Sequence, residues 1–346
     1  MKSGVVFALL AAVLFGASTP LAKRFVGEIA PVMLAGLLYA GSGIGLTLLL
    51  AVRHMSGVRF AWPSRRDVPW LAGAIVFGGM LGPVFLMLGL TAASASAASL
   101  LLNLEGVFTA LLAWFLFREN FDARIAVGML CISVGGAVIA WDPAGGGGMT
   151  PGTLLVVAAC LCWAIDNNLT RKVSGSDAVV IAGLKGVIAG ATNLGIAFAL
   201  GQALPAMPIL AAAGIVGFVG YGLSLVLFVL ALRHLGTART GAYFSVAPFA
   251  GAALAIVMNQ DAPATQTLVA GGLMAAGVWL HITERHAHRH VHESLVHEHM
   301  HTHDAHHRHE HDPGWDRREP HAHPHVHTAL RHSHPHYPDL HHRHRH

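Results

Sequence analysis

Ten apolar stretches of membrane-crossing length constrain this chain more than any other feature. A helix needs about 20 mostly apolar residues to cross hydrocarbon. Such runs lie at about 4–22, 30–52, 69–90, 94–117, 123–141, 151–170, 178–200, 207–231, 238–259 and 264–282. Helices are expected rather than strands, because the runs are long and continuous and each span in lipid must satisfy its own backbone hydrogen bonds. Small residues at close-packing spacings, Gly41 with Gly45 and Gly271 with Ala275, let neighbouring helices approach. Only 12% of the residues are charged, against roughly 25% in soluble domains. That charge is also uneven. Residues 283–346 hold eight of the 22 Lys and Arg, nine of the 18 Asp and Glu, and 23 of the 26 His. The first 282 residues therefore read as an all-α integral membrane protein. The pI near 9.2 says nothing of nucleic acid, since the basic residues sit in short loops. Cys131, Cys160 and Cys162 fall inside apolar runs and read as small buried hydrophobes, not as a disulfide framework.

Basic residues give the orientation. With the N-terminus in the cytoplasm, Lys2, Arg53, Arg59, Arg65, Arg66, Arg118, Arg124, Arg171, Lys172, Arg233 and Arg239 lie inside, and Lys23 and Arg24 lie outside. This positive-inside bias puts both termini in the cytoplasm, in what reads as a bacterial inner (plasma) membrane.

The spans repeat. Phe15-Gly16 and Lys23-Arg24 match Trp163-Ala164 and Arg171-Lys172 at an offset of 148. Residues Met33 to Leu37 match Val180 to Leu184 at 147, and Glu119 and Gly135 match Asp261 and Gly277 at 142. The first span is thus a member of the repeat, not a cleaved signal peptide. Five spans per repeat is an odd number, so the second copy enters the membrane inverted. The expected organisation is a five-helix repeat at 1–142, a Gly-rich joint at 143–150, an inverted five-helix repeat at 151–282 and a His-rich cytoplasmic tail at 283–346. Thr150-Pro151 supplies a capping hydroxyl and a first-turn proline for the helix that follows. Inverted repeats place a binding site near mid-membrane and alternate its access by rocking, which points to a secondary transporter.

The runs FGASTPLAKR in span one, NLEGVFTALLAWFLFREN through span four and ALRHLGTART after span eight resemble EamA-type members of the drug/metabolite transporter superfamily. The resemblance covers about residues 4–282 and implies a ten-helix secondary transporter, many relatives being exporters of metabolites or amino acids, with no cofactor. The family pattern often has a proline after the span-four glutamate, where this chain has Gly106; Pro248 keeps it in the second repeat. The first-repeat helix is therefore expected to bend differently.

Ionisable groups inside hydrocarbon are costly and face a cavity or a partner. Glu105, beside Asn103, is the most central acid and reads as a cavity carboxylate for a cationic group or a proton, or else as a structural partner of helix ends or Lys185. Asp166, beside Asn167 and Asn168, reads as a second cavity acid or as a partner of Arg171. Lys185 is long enough to snorkel to the cytoplasmic surface. Trp163, Tyr221 and Tyr243 are candidate cation–π or stacking walls. His54 and His234 suit helix C-termini. No nucleophile-and-base pairing, phosphate loop or helical metal motif marks an enzyme.

In the tail, histidine alternates with other residues at His286, His288, His290 and His292, at His297, His299, His301 and His303, and at His321, His323, His325 and His327. Lacking apolar periodicity, the tail is expected to be disordered. Imidazoles at this density are candidate ligands for Zn, Ni or Cu; alternatively the tail is a pH-tunable cationic segment that meets anionic lipid. Three functions follow: export of a small organic metabolite such as an amino acid or amine, transition-metal (Zn, Ni, Co or Cu) efflux, or non-transporting sensing. A metal pathway would be expected to carry His, Cys or several carboxylates along its length. Glu105 and Asp166 are the only acidic candidates well inside the spans, so the first is favoured. The expected partners are membrane lipid, a small-molecule substrate and a divalent metal on the tail.

Overall fold

The structure, a computed structural model, describes residues 2–58, 60–117, 123–142, 148–259, 264–283, 287–292, 295–301, 321–327 and 330–335. Glu119 and Asp261, one matched pair of the repeat, lie outside the described residues. The chain forms two compact units, Met1–Glu284 and Arg285–His346.

In the first unit the helices are α1 (Lys2–Phe25), α2 (Pro31–Met55), α3 (Val68–Ala74), α4 (Gly82–Ala92), α5 (Ala95–Leu101), α6 (Leu104–Phe117) and α7 (Ala123–Ala140). They are followed by α8 (Pro151–Val173), α9 (Ala178–Ala199), α10 (Met207–Gly217), α11 (Ser224–Phe244), α12 (Ala247–Asn259) and α13 (Thr265–Ile282). Among the described residues eight helices are long and apolar enough to cross a membrane; Ala126–Ala140 and Thr265–Leu280 are shorter apolar helices.

The two halves share their local devices as well as their element order. A π-helical segment joins α3 to α4 at Ile75–Leu81, and another joins α10 to α11 at Phe218–Leu223. The helix is interrupted at Leu102–Asn103 and again at Ser245–Val246. At the first break Asn103 N bonds Leu100 O and Gly106 N bonds Asn103 O; at the second, Val246 N bonds Tyr243 O and Phe249 N bonds Val246 O. The first-half helix thus breaks where the second does, with Gly106 in place of proline. Helices α2 and α9 end alike: Gly57 (φ 80°) and Gly201 (φ 72°) take left-handed backbone. The following residues, Val58 and Gln202, donate to Arg53 O and Ala197 O in the six-to-one closure that left-handed glycine permits.

Packing follows the same exchange of halves. Helix α2 packs along α9, and α7 along α13; α1 meets α11 as α8 meets α4, and α1 meets α12 as α8 meets α6. The α2–α9 crossing is a backbone contact, since a Cβ on Gly43 would lie 2.5 Å from Val187 N and one on Gly186 would lie 2.5 Å from Gly43 N. Gly41 is pressed against Gly214 O and Gly45 against the Phe218 ring, both at 2.1 Å from the added Cβ. Gly271 is different; its nearest neighbour is at an ordinary 3.6 Å.

Three expectations differ in detail. Spans eight and nine are not separated by a loop, because α11 runs on unbroken to Phe244, through the interval expected at 232–237. The Gly-rich joint has paired ends, Trp141–Asp142 (β1) opposite Gly148–Met149 (β2), while 143–147 lie outside the described residues; Thr150 Oγ1 then caps α8, accepting from Thr153 N at 3.2 Å. In the tail, where a structureless chain is expected, the described backbone forms β3 (Ala287–His292) antiparallel to β6 (Leu330–Pro335), and β4 (Leu295–His301) antiparallel to β5 (His321–His327). The His-x-His alternation has the two-residue period of a strand.

Candidate functional site

A cavity of about 490 Å³, counting its open mouth, lies within the helical unit. Both halves line it: Phe15 from α1, Tyr39 from α2, Glu105 from α6, Trp163, Asp166 and Asn167 from α8, Lys185 from α9, and Tyr221, Ser224, Phe228 and Phe244 from the second π segment and α11. The repeat explains part of this meeting. Phe15 and Trp163 hold equivalent positions and touch edge-to-face, with centroids 5.7 Å apart at 82°. Tyr221 packs on Phe15 at 5.8 Å and on Tyr39 at 5.4 Å.

The charged groups are clustered on one side. Lys185, 1% exposed, places Nζ 2.6 and 2.7 Å from the two oxygens of Asp166. Thr170 Oγ1 donates to Asp166 Oδ1 at 2.8 Å and lies 3.3 Å from Lys185 Nζ. Asp166 and Thr170 are four residues apart on α8, one turn of the same face. Glu105, two residues past the α5–α6 break, accepts from Asn167 Nδ2 at 2.7 Å. Asn168 ties α8 to α6 by donating to Thr109 O at 3.3 Å.

Proline chemistry positions this cluster. Pro83 has no N–H, so it can donate neither to Gly79 four residues back nor to Gly78 five back. Gly82 N bonds Phe77 O in the π register, and the next carbonyl loses its backbone donor. Buried carbonyls need another partner in a membrane helix. Gly78 O accepts from Tyr39 OH at 2.6 Å and Trp163 Nε1 at 3.0 Å, and Gly79 O from Asn193 Nδ2 at 3.1 Å. Two cavity aromatics are thus fixed by the π segment. Asp166 sits against the same segment, where a Cβ on Gly78 would lie 1.8 Å from its Oδ2.

Of the residues singled out from sequence, Glu105, Asp166, Asn167, Trp163 and Tyr221 meet at the cavity. Asn103 does not. It is buried at the helix break, donating to Leu100 O at 3.2 Å and to Met274 Sδ at 3.7 Å. Tyr243 also lies elsewhere, among Ala8, Ala231 and Leu235, because Phe244 is the neighbour that turns to the cavity. Lys185 does not snorkel, and Asp166 takes Lys185 rather than Arg171 as its ion-pair partner. The residues missed were Tyr39, Phe15, Phe228, Phe244 and Ser224. A lone tyrosine in the middle of span two was the available signal for Tyr39; phenylalanines in apolar runs give none. His54 is exposed in the last turn of α2, but His234 is not at a helix end: α11 runs on past it, and its ring lies 5.9 Å from that of Phe7. Of the twelve tail histidines singled out from sequence, His286 and His303 lie outside the described residues, and the other ten are described by backbone alone. Register pairs His297 with His325, His299 with His323, and His301 with His321. Among the described residues no group of three His, Cys, Asp or Glu gathers for a metal.

Paired halves, apolar helices interrupted at matching points and a cavity that both halves line define an integral membrane protein of the repeat-carrier class. The profile of the EamA-like transporter family matches residues 2–141 and again 150–283. The chain belongs to that family, and it is a transporter rather than an enzyme. It is 27% identical over 296 residues to an uncharacterized transporter of Methanothermobacter thermautotrophicus, covering 80% of this chain and 85% of that protein. A crystal structure with 20% identity covers 81% of this chain and 96% of its own at a TM-score of 0.62, a likeness of fold alone.

Proposed function

We propose that the protein is a secondary exporter of a small organic metabolite, an amino acid, amine or similar compound. In this reading ten spans form two inverted five-helix repeats in a bacterial inner (plasma) membrane, with both termini cytoplasmic. The cavity is the substrate site, alternately opened as the halves rock. Glu105, Asn167, Trp163 and Tyr221 contact substrate, and the Asp166–Lys185 pair bridges α8 to α9 beside it. The observation that carries the reading is Glu105, a cavity-facing carboxylate whose partner is a neutral amide. The tail at 283–346 is a metal-binding regulatory segment, its imidazoles taking Zn, Ni or Cu.

The test starts with a thermal-shift screen of purified protein, with and without the tail, against amino acids, amines, nucleosides and divalent metals, since a ligand of the native state raises its stability. Solutes that bind the tail-free protein are then tested for counterflow in proteoliposomes. An organic solute should exchange, and Glu105→Gln should fold normally yet lose exchange or its pH dependence. Exchange of divalent metal with no exchange of any organic solute would replace this reading by metal efflux.

A further inference from the structure

We infer that the cavity selects an organic monocation with a ring-sized apolar body, bound at Glu105; the inference rests on the transport reading above and names its substrate class. The charge inventory carries it. Among the described residues three charged side chains face the cavity: Glu105, Asp166 and Lys185. Lys185 reaches both oxygens of Asp166 at 2.6 and 2.7 Å, and Thr170 closes the group, so that pair is internally neutral. Glu105 receives Asn167 Nδ2 at 2.7 Å and, among the described residues, no cation. The other titratable groups around it are Tyr39, Tyr221 and Cys160, none of which brings positive charge; the Cys160 thiol donates to Leu101 O. The fixed charge of the cavity is therefore one negative, set among apolar walls where an unbalanced charge is costly. One positive charge completes it.

The walls define the rest of the ligand. Phe15, Tyr39, Trp163, Tyr221, Phe228 and Phe244 line the cavity, offering ring faces to an aromatic or cyclic body and to a cation. Among the described residues a carboxylate on the ligand finds no free cation, because Lys185 is held by Asp166, and the unpartnered Tyr221 hydroxyl offers it only a neutral donor. An anion or zwitterion would have to pull Lys185 away and strand a buried Asp166. A proton competes for the same Glu105 carboxylate, so amine binding weakens as that group is protonated.

Three probes that share a phenyl ring and differ in charge test this on the full-length protein: phenethylamine, phenylalanine and 3-phenylpropionate. Each is followed by thermal unfolding in detergent and by counterflow in proteoliposomes. Phenethylamine should stabilise the wild type most, and Glu105→Gln should weaken its binding by about thirtyfold or more, the loss typical of truncating one partner of a buried charge pair. Asp166→Asn frees Lys185 beside Glu105 and should move the preference to phenylalanine. Asp166→Asn combined with Lys185→Gln restores the single negative charge and should restore the amine-first order; it carries the test if the single variant does not fold. A wild-type preference for phenylalanine or phenylpropionate, no response to phenethylamine, or an unchanged order in folded Asp166→Asn overturns the inference. If the preferred zwitterion or anion exchanges in counterflow, the transport reading stands while this one falls. Failure of every organic solute to exchange removes both.

Discussion

Lys185→Met isolates the buried ion pair at nearly constant side-chain length. In the native protein the ammonium is shielded from solvent and lies 2.6 and 2.7 Å from the Asp166 oxygens. At an effective dielectric of about 20 the attraction at that separation is on the order of 6 kcal/mol, most of it offset by the cost of desolvating both groups. The substitution leaves Asp166 buried with the Thr170 hydroxyl as its neutral donor. Removing one member of such a pair typically costs about 3–5 kcal/mol. Asp166→Asn with Lys185→Met should recover most of that loss, because an apolar side chain beside a neutral amide carries no stranded charge. Reversible unfolding by SDS titration in mixed micelles, run as a double-mutant cycle, measures the coupling. A lysine that reached the membrane surface would lose well under about 1 kcal/mol on the same change. A single-variant loss of that size, with no coupling to Asp166, refutes the pairing and the charge inventory built on it.

Gly78→Ala should destabilise by about 1–3 kcal/mol or prevent folding, since the new methyl falls 1.8 Å from Asp166 Oδ2; Gly214→Ala, with nothing within 4 Å of the added Cβ, is the silent control in the same unfolding assay. Asn193→Ala leaves Gly79 O without its side-chain donor and should cost about 1–3 kcal/mol. Accessibility labelling of single cysteines placed in the 53–67 loop and in the tail should report both on the cytoplasmic side of intact cells; labelling of the tail from outside reverses the proposed orientation. Truncation after Thr283 keeps the Arg124–Thr283 hydrogen bond and should leave the unfolding of the helical unit unchanged while removing most zinc or nickel binding, read by equilibrium dialysis.

Much of the fold is legible in the chain because hydrocarbon limits the choices: apolar length gives the helices, and the duplicated Phe15/Trp163 and Lys23-Arg24/Arg171-Lys172 positions give the halves. The helix interruptions are less legible. No proline marks the break at Leu102–Asn103, and the unbroken run of α11 crosses residues whose polarity reads as a loop. The site divides in the same way. Glu105 and Asp166 stand out because a carboxylate in an apolar run has few reasons to be there. Their partners do not, because pairing depends on which helices touch. Lys185 meets Asp166 because α8 and α9 both pack on the Ile75–Leu81 segment, and side-chain length alone misassigns it to the surface. Asn103 and Tyr243 fail for a related reason: Asn103 sits in the break ahead of α6 and Tyr243 faces away from its neighbour Phe244, so proximity in sequence to Glu105 or Phe244 is no guide.

The scaffold is close to symmetric, but the chemistry is not. Position 105 corresponds to Ala247 at the repeat offset of 142, so the second half has no counterpart of the carboxylate. Pro83 likewise has no proline counterpart after the second π segment, where Ser224 follows and donates to Ala11 O at 2.9 Å. The charged residues of the cavity all come from α6, α8 and α9, whereas α1 and the Phe218–Phe244 stretch contribute rings and hydroxyls. Matched π segments and matched breaks give both halves the same places to bend. The polar wall spans the halves, since Glu105 belongs to the first and Asn167 to the second, and the proposed rocking of the halves would act on their hydrogen bond. A ligand that bridges Glu105 to the rings of the second half therefore couples its own binding to the relative position of the halves, which is the energetic requirement for a bound solute to bias access.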